Sequence, residues 1–155
     1  MKNLLIIVGL LILLAIAFFF TQNALTGNTL NIFSKSAKAL IGGQTFTLMV
    51  ADTEREKGIG LSEKKSLAKN SGMIFPYDKK TTPTFWMRNM DFPIDILFVS
   101  DGKIVTLYKN VKPPTGNQNL ELYRPKVPID SVIEIGGGVS DQYKVKEGDS
   151  VQVTL

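Results

Sequence analysis

Alternating apolar and polar residues dominate the chain after residue 43 and predict short β-strands. In Gln44–Ala51, Phe46, Leu48 and Val50 share one face, and the intervening residues are mostly threonines. Asp101-Gly102 lies between two β-rich runs and is typical of a two-residue hairpin turn. Further strands are predicted at Gly72–Phe75, Thr84–Met90, Ile94–Ser100, Lys103–Lys109, Ser131–Ile135 and Val151–Leu155.

Two segments with a different pattern predict short helices. Asp52–Leu61 is rich in charged residues, and Asp52 or Thr53 can cap a helical turn there. Val139–Gly148 can hold one further turn. The pattern as a whole predicts a mainly β fold with a minor α+β character. We expect a small antiparallel barrel or curled sheet with one or two short helices.

The amino terminus has a different composition from the rest of the chain. Leu4–Phe20 contains no charged or strongly polar residue, and with its flanks it is about long enough to cross a bilayer as a helix. We favour an uncleaved signal anchor over a removed signal peptide, because the small-residue triplet Ala15–Ala17 lies inside the run and three phenylalanines follow it. A buried core helix is a third interpretation.

These observations divide the chain into three parts. Residues 1–23 are predicted to form one N-terminal transmembrane helix, residues 24–42 a linker, and residues 43–155 a single mainly β domain. A short tail before a first membrane segment usually stays inside the cell, so we expect a single-pass protein of the cell membrane with its domain on the outer face.

Composition excludes several classes of function. The chain has 18 Lys and Arg against 14 Asp and Glu, and this small basic excess is spread along the sequence, so no nucleic acid partner is expected. It has no cysteine and no histidine. Disulfides, thiolate and Ser-His-Asp nucleophiles and the common zinc sites are therefore excluded. We predict no metal site, no cofactor and no catalytic residue.

Several motifs together resemble a known family. They are Glu54–Leu61 (EREKGIGL), Gly72–Phe75 (GMIF), Phe85–Met90 (FWMRNM), Pro93–Phe98 (PIDILF), Glu134–Gly138 (EIGGG) and Gly148-Asp149. Their order resembles the family named domain of unknown function 192, over roughly residues 44–155. The resemblance implies a compact mainly β fold that is often exported in prokaryotes, and it implies no assigned reaction. Ser62 stands where the family often has Met after Gly-Leu.

The Phe85–Met90 motif is the first candidate for a binding site. Trp86 and Arg88 are two residues apart, so the guanidinium can stack on the indole. Arg88 offers a fork for a carboxylate or phosphate, and Asn89 offers an amide. Asp95 follows the turn at Pro93 and can pair with Arg88 or cap that turn. The competing interpretation is structural, with Trp86 in the core and Arg88 paired to Asp95 or Glu134.

Glu134 is the second candidate, because it interrupts an apolar strand just before three glycines. The candidate ligand-binding residues are therefore Trp86, Arg88, Asn89, Asp95 and Glu134. The function remains open between three classes. We favour a non-enzymatic domain that binds a small ligand or an envelope protein. The alternatives are an envelope carbohydrate hydrolase that uses Glu134 and Asp95, and a purely structural partner of a membrane complex.

Overall fold

The computed structural model of the protein describes residues 12–14, 18, 33–62, 64–115 and 120–154. The chain forms two compact units, Met1–Ile32 and Phe33–Leu155. In the first unit, residues 12–14 and Phe18 are helical. Within the described parts of the chain, no helix has the length and apolar character that a bilayer crossing requires. The predicted anchor, residues 1–23, lies largely outside the described residues.

The second unit is built on one seven-stranded sheet with strand order β5-β4-β6-β3-β2-β1-β7. Its elements in chain order are β1 (Ser36–Ile41), β2 (Gln44–Val50), α1 (Glu54–Ile59), β3 (Ser71–Thr81), β4 (Ile94–Ser100), β5 (Lys103–Val111), β6 (Ile129–Gly136), α2 (Val139–Gln142) and β7 (Val151–Thr154). The mainly β fold with few short helices is therefore confirmed. The predicted hairpin joins β4 to β5, with positive φ at both Asp101 and Gly102.

The prediction of a purely antiparallel sheet is wrong at one pair of strands. β2 and β3 run parallel, with Leu48 opposite Gly72. A parallel pair needs a long crossover connection, and residues 51–70, which include α1, supply it. α1 begins at the predicted cap: the Thr53 side chain accepts a hydrogen bond from the Glu56 N–H, and the Glu56 side chain accepts one from the Thr53 N–H.

The sheet curls into a half-barrel whose two edge strands meet at one end. The N–H groups of Ile104 and Val151 donate to the carbonyl oxygens of Asp149 (3.0 Å) and Gly102 (2.8 Å), and the Gly148 N–H donates to the Ile104 carbonyl oxygen (2.8 Å). An isolated bridge between Lys103 and Ser150 completes this seam between β5 and the segment that leads into β7. The inner face of the sheet carries the main apolar cluster. In it, Leu97, Ile133 and Ile135 pack against buried residues of the remaining strands.

The outer face of β3, β6 and β4 is covered by two loops. Five rings form a continuous series of edge-to-face contacts across it, in the order Phe75, Phe85, Phe98, Tyr108 and Tyr123, with centroid separations of 5.1 to 6.0 Å. Phe85 and Tyr123 come from the two loops and exchange two backbone hydrogen bonds of 2.9 Å. These contacts hold the loop that carries residues 86–90 against the sheet.

Two predicted segments differ from the structure. The predicted linker, residues 24–42, overlaps β1, which pairs with β2 and β7 and buries Ala37, Ala39 and Ile41. The sequence did not predict this strand, because two of its residues are alanines and alanine has little β preference. The segment Thr84–Met90 is not a strand: only Phe85 forms a bridge, and the chain turns at Arg88-Asn89.

Candidate ligand-binding cleft

A cleft of about 440 Å³ lies on the outer face of the sheet. α1 and the turn after it form one wall, and the loop over residues 83–90 forms the other. Phe75 and Tyr77 of β3 and Glu134 of β6 line it from the sheet. Four of the five candidate residues line this cleft, namely Trp86, Arg88, Asn89 and Glu134.

Glu134 is the buried carboxyl group of the cleft. On the neighbouring strands its partners are Met73 and Ile96, and both are fully buried. The residue is 6% exposed, and its side chain has no hydrogen bond or ion pair with any residue that the structure describes. Burial raises the pKa of Glu134 to about 8. At neutral pH the group is therefore mostly a neutral carboxyl, which both donates and accepts hydrogen bonds.

Tyr77 and Lys57 extend the polar lining next to Glu134. Burial raises the pKa of Tyr77 to about 12, and the charges of Glu54 and Glu134 add to this effect. The Lys57 ammonium lies 4.6 Å from the centroid of the Tyr77 ring and 3.5 Å from the Glu54 carboxylate. Lys57 is therefore already paired, while the Tyr77 hydroxyl remains a neutral hydrogen-bonding group.

Trp86 and Arg88 form the exposed rim of the cleft. The Arg88 guanidinium carbon lies 5.5 Å from the centroid of the Trp86 ring, which is the stacking that their spacing suggested. Trp86 is 46% exposed, and Arg88 is exposed too. Within residues 33–62, 64–115 and 120–154, no carboxylate forms an ion pair with Arg88. The guanidinium is available to an anionic ligand.

The turn that presents these side chains depends on Asn89. Its φ is 57°, a left-handed conformation that asparagine tolerates better than most residues. The Met90 N–H donates to the Met87 carbonyl oxygen at 3.3 Å, and the Met87 side chain is buried. The buried Met87 anchors the turn, and Arg88 and Asn89 project from it.

Asp95 lies elsewhere and has a different set of contacts. It is fully buried, and its carboxylate accepts hydrogen bonds from the N–H groups of Asn110 (2.7 Å), Gly138 (2.9 Å) and Ser140 (2.6 Å). These bonds hold β5 and the start of α2 against β4. Asp95 does not line the cleft and is not paired to Arg88. The structure therefore does not bring it together with the other four candidates.

Sequence reasoning missed Glu54, Lys57 and Tyr77 as cleft residues. The signal was present for the helix, because Glu54 and Lys57 are three residues apart in a charged segment. Without the parallel crossover, nothing placed this helix beside β3 and β6.

In the described segments no group of three acidic residues converges as a metal site would require. A second cleft, of about 560 Å³, lies beside β5, and its lining includes Thr115 and Leu120.

Comparison with solved structures identifies two similar proteins. A crystal structure from Sinorhizobium meliloti 1021, named as that of a candidate transcription regulator, matches with a TM-score of 0.69 and 26% identity, over 78% of this chain and 95% of the other. A protein of unknown function from Novosphingobium aromaticivorans DSM 12444 matches with a TM-score of 0.65 and 28% identity, over 76% and 83%. No curated protein matches the chain.

Comparison with protein families gives a match over nearly the whole second unit. Residues 37–153 match DUF192, a family described as "Uncharacterized ACR". The matched range includes all the motifs that suggested this resemblance in the sequence. The chain belongs to the domain of unknown function 192 family.

Proposed function

We propose that the domain is a binding module for a small ligand, which occupies the cleft between α1 and the loop over residues 83–90. The observation that carries this proposal is the buried Glu134 carboxyl, which reaches the cleft without a partner among the described residues. Its oxygens are open to the cleft, so a ligand with a matching polar group can hydrogen-bond to them directly.

The arrangement supports binding better than carbohydrate hydrolysis. Hydrolysis needs a second carboxyl group in the same cleft as Glu134. Asp95 is engaged by three backbone N–H groups outside the cleft. Glu54 does line the cleft, but its side chain is 95% exposed and pairs with Lys57. An exposed, paired carboxylate lacks the environment that tunes a catalytic acid or base.

We extend the proposal to the location of the domain. Residues 1–23 are proposed to anchor the chain in the cell membrane, with the second unit on the outer face and an envelope protein as an alternative occupant of the cleft. The apolar run Leu4–Phe20 supports the anchor. Added protease is expected to digest the domain on intact cells. Full-length protein in the cytosol, with none in the membrane fraction, would contradict this part of the proposal.

The binding role can be tested on the full-length protein in detergent micelles. Trp86 is the only tryptophan, so its fluorescence reports directly on the cleft. A panel of sugars, nucleotides and small organic acids is titrated while Trp86 emission and thermal unfolding are followed. At a concentration of 100 times Kd, a ligand adds about 2.7 kcal/mol to the free energy of unfolding. We expect at least one class to change both signals.

Two variants locate the response. Arg88→Ala removes a cleft cation, whereas Arg55→Ala removes an exposed arginine of α1 that does not line the cleft. We expect Arg88→Ala to weaken the response and Arg55→Ala to retain it. A folded Arg88→Ala variant that responds to every active ligand as the wild type does would count against the proposed site. So would a panel without any effect on Trp86 emission.

A further inference from the structure

We propose that the ligand is a hydroxylated acid of about monosaccharide size, such as a sugar acid or a sugar phosphate, with its anionic group at Arg88 and a hydroxyl at Glu134. This inference rests on the proposed function and adds the chemical class of the ligand. Either a carboxylate or a phosphate fits, because both match the planar fork of an arginine.

The anionic end of the ligand is assigned from the two cations of the cleft. Lys57 is paired with Glu54 at 3.5 Å and lies over Tyr77, so part of its charge is already compensated. Arg88 has no acidic partner among the described residues, and its stacking on Trp86 restricts the orientation of the guanidinium. An arginine held in this way recognises a carboxylate or phosphate through two parallel hydrogen bonds.

The hydroxyl end of the ligand is assigned from the surroundings of Glu134. Its strand partners Met73 and Ile96 offer no polar side-chain atom, and no cation pairs with its carboxyl within the described chain. A neutral carboxyl presents one donor and free acceptor positions, and a hydroxyl group matches both. A ligand anion at this point would meet a group that cannot compensate its charge. Glu134 therefore selects the uncharged, hydroxylated part of the molecule.

The walls of the cleft between these two ends suit a sugar ring. The indole of Trp86 is 46% exposed, and Phe75 and Tyr77 line the side of the cleft that β3 forms. Aromatic side chains give large apolar contact areas, and Tyr77 adds a hydroxyl of its own. The cleft volume, about 440 Å³, lies in the lower half of the usual range for small-molecule sites, about 300–1,000 Å³.

The test uses Trp86 fluorescence of the full-length protein in micelles, with five probes: D-glucuronate, D-glucose 6-phosphate, D-glucose, D-glucosamine and inorganic phosphate. We expect glucuronate or glucose 6-phosphate to saturate the change in emission. Glucose lacks the anion and phosphate lacks the ring, so each is expected to bind at least about tenfold more weakly. The two acidic probes distinguish a carboxylate ligand from a phosphate ligand.

Substitutions then separate the two ends of the ligand. Arg88→Ala is expected to weaken binding of the acidic probe at least about tenfold, and the control Arg55→Ala is expected to change it less than about twofold. Glu134→Gln keeps a donor and an acceptor, so its affinity should remain within a few-fold of the wild type. Glu134→Leu removes both and should lose about tenfold or more. Two substitutions at Glu134 keep the test valid if one of them unfolds the protein.

Several results would overturn the inference. Glucose that binds as tightly as glucuronate, or an Arg88→Ala variant that keeps full affinity for the acids, would remove the role of the anion. Preferential binding of glucosamine, lost in Glu134→Gln, would show that Glu134 binds a cation; the binding function would then stand and only the ligand class would fall. If none of the five probes changes Trp86 emission, the ligand class is wrong. The broader ligand panel then decides the binding function separately.

Discussion

Asp95 and Glu134 lie on adjacent strands and point to opposite faces of the sheet. In the pairing of β4 with β6, Asp95 is opposite Ile135, and Ile96 is opposite Glu134. Directly opposed residues share a face, and successive residues alternate between faces. Asp95 therefore lies on the inner face with Ile135, whereas Glu134 lies on the outer face with the cleft. The sheet itself separates the two carboxyl groups.

The inner carboxylate is expected to stabilise the fold. Asp95→Ala leaves the N–H groups of Asn110, Gly138 and Ser140 without their acceptor, so we expect the free energy of unfolding to fall by more than about 3 kcal/mol. The matched control is Asp141→Ala, which breaks an exposed ion pair with Lys109 and should cost less than about 1 kcal/mol. Urea unfolding at pH 7 measures both. Equal losses in the two variants would contradict this role for Asp95.

The outer carboxyl is expected to make stability depend on pH. Burial raises the pKa of Glu134 to about 8, from an ordinary value of 4.5 in the unfolded chain. Between these values the folded state holds a proton that the unfolded state has lost, so stability falls as pH rises from about 4.5 to 8. The slope reaches about 1.4 kcal/mol per pH unit at most. Urea unfolding of wild type and Glu134→Gln across pH 5–8 checks this.

The wild type and Glu134→Gln should differ in how their stability depends on pH. Glu134→Gln should be the more stable protein at pH 8, and its advantage should shrink toward pH 5. Tyr77→Phe serves as a control, because the pKa of Tyr77 is about 12 and the residue does not titrate in this range. If the wild type and Glu134→Gln have parallel stability curves from pH 5 to 8, Glu134 is not protonated in the folded protein.

The close pairing of β3 with β6 is expected to require glycine at position 72. A Cβ atom added there would lie 2.2 Å from the carbonyl oxygen of Glu134 and 3.0 Å from side-chain carbons of Ile135 and Leu48. We expect Gly72→Ala to lower the free energy of unfolding by at least about 2 kcal/mol. Gly58→Ala is the control: nothing lies within 4 Å of its added Cβ in α1, so it should stabilise the protein by about 0.5–1 kcal/mol. Denaturant midpoints that move in the same direction would contradict this explanation.

The ring of Phe85 is expected to hold the cleft loop on the sheet. It contacts Phe75 and Phe98 with centroid separations of 5.1 and 5.7 Å. Phe85 is half-buried, so Phe85→Ala should cost about 1.5–3 kcal/mol and shift the emission of the neighbouring Trp86 to longer wavelength as the loop loosens. Phe92→Ala, at another half-buried ring in the connection between β3 and β4, is the control for both the stability and the Trp86 spectrum. An unchanged Trp86 spectrum in a folded Phe85→Ala protein would show that other contacts hold the loop.

The sequence was sufficient for most strands, the hairpin and the helix cap, because these depend on local patterns. Asp101-Gly102 requires positive φ at both positions, and Thr53 with Glu56 forms a cap within four residues. The stacking of Arg88 on Trp86 is also local, and the structure has it at 5.5 Å even though the segment is a turn and not a strand. The resemblance to the family was carried by short motifs and is confirmed over residues 37–153.

Features that depend on distant residues were not predictable. The parallel pairing of β2 with β3 follows from the long crossover, and only this crossover brings Lys57 next to Tyr77. The faces of Asp95 and Glu134 depend on the register between β4 and β6. All of β4 and the stretch Val132–Ile135 of β6 are buried, so no alternation marks the two sides there. β1 escaped notice because its inward residues include two alanines, Ala37 and Ala39.

The seam between β5 and β7 has a consequence for how the domain behaves when crowded. Free strand edges are templates on which a second chain can add its own strand, and this is a common start of aggregation. Here Gly102, Ile104 and Val151 already use backbone groups across the seam. β7 is also only four residues long, which leaves a short template. The end of the sheet where the seam forms therefore offers little template for a strand of a second chain.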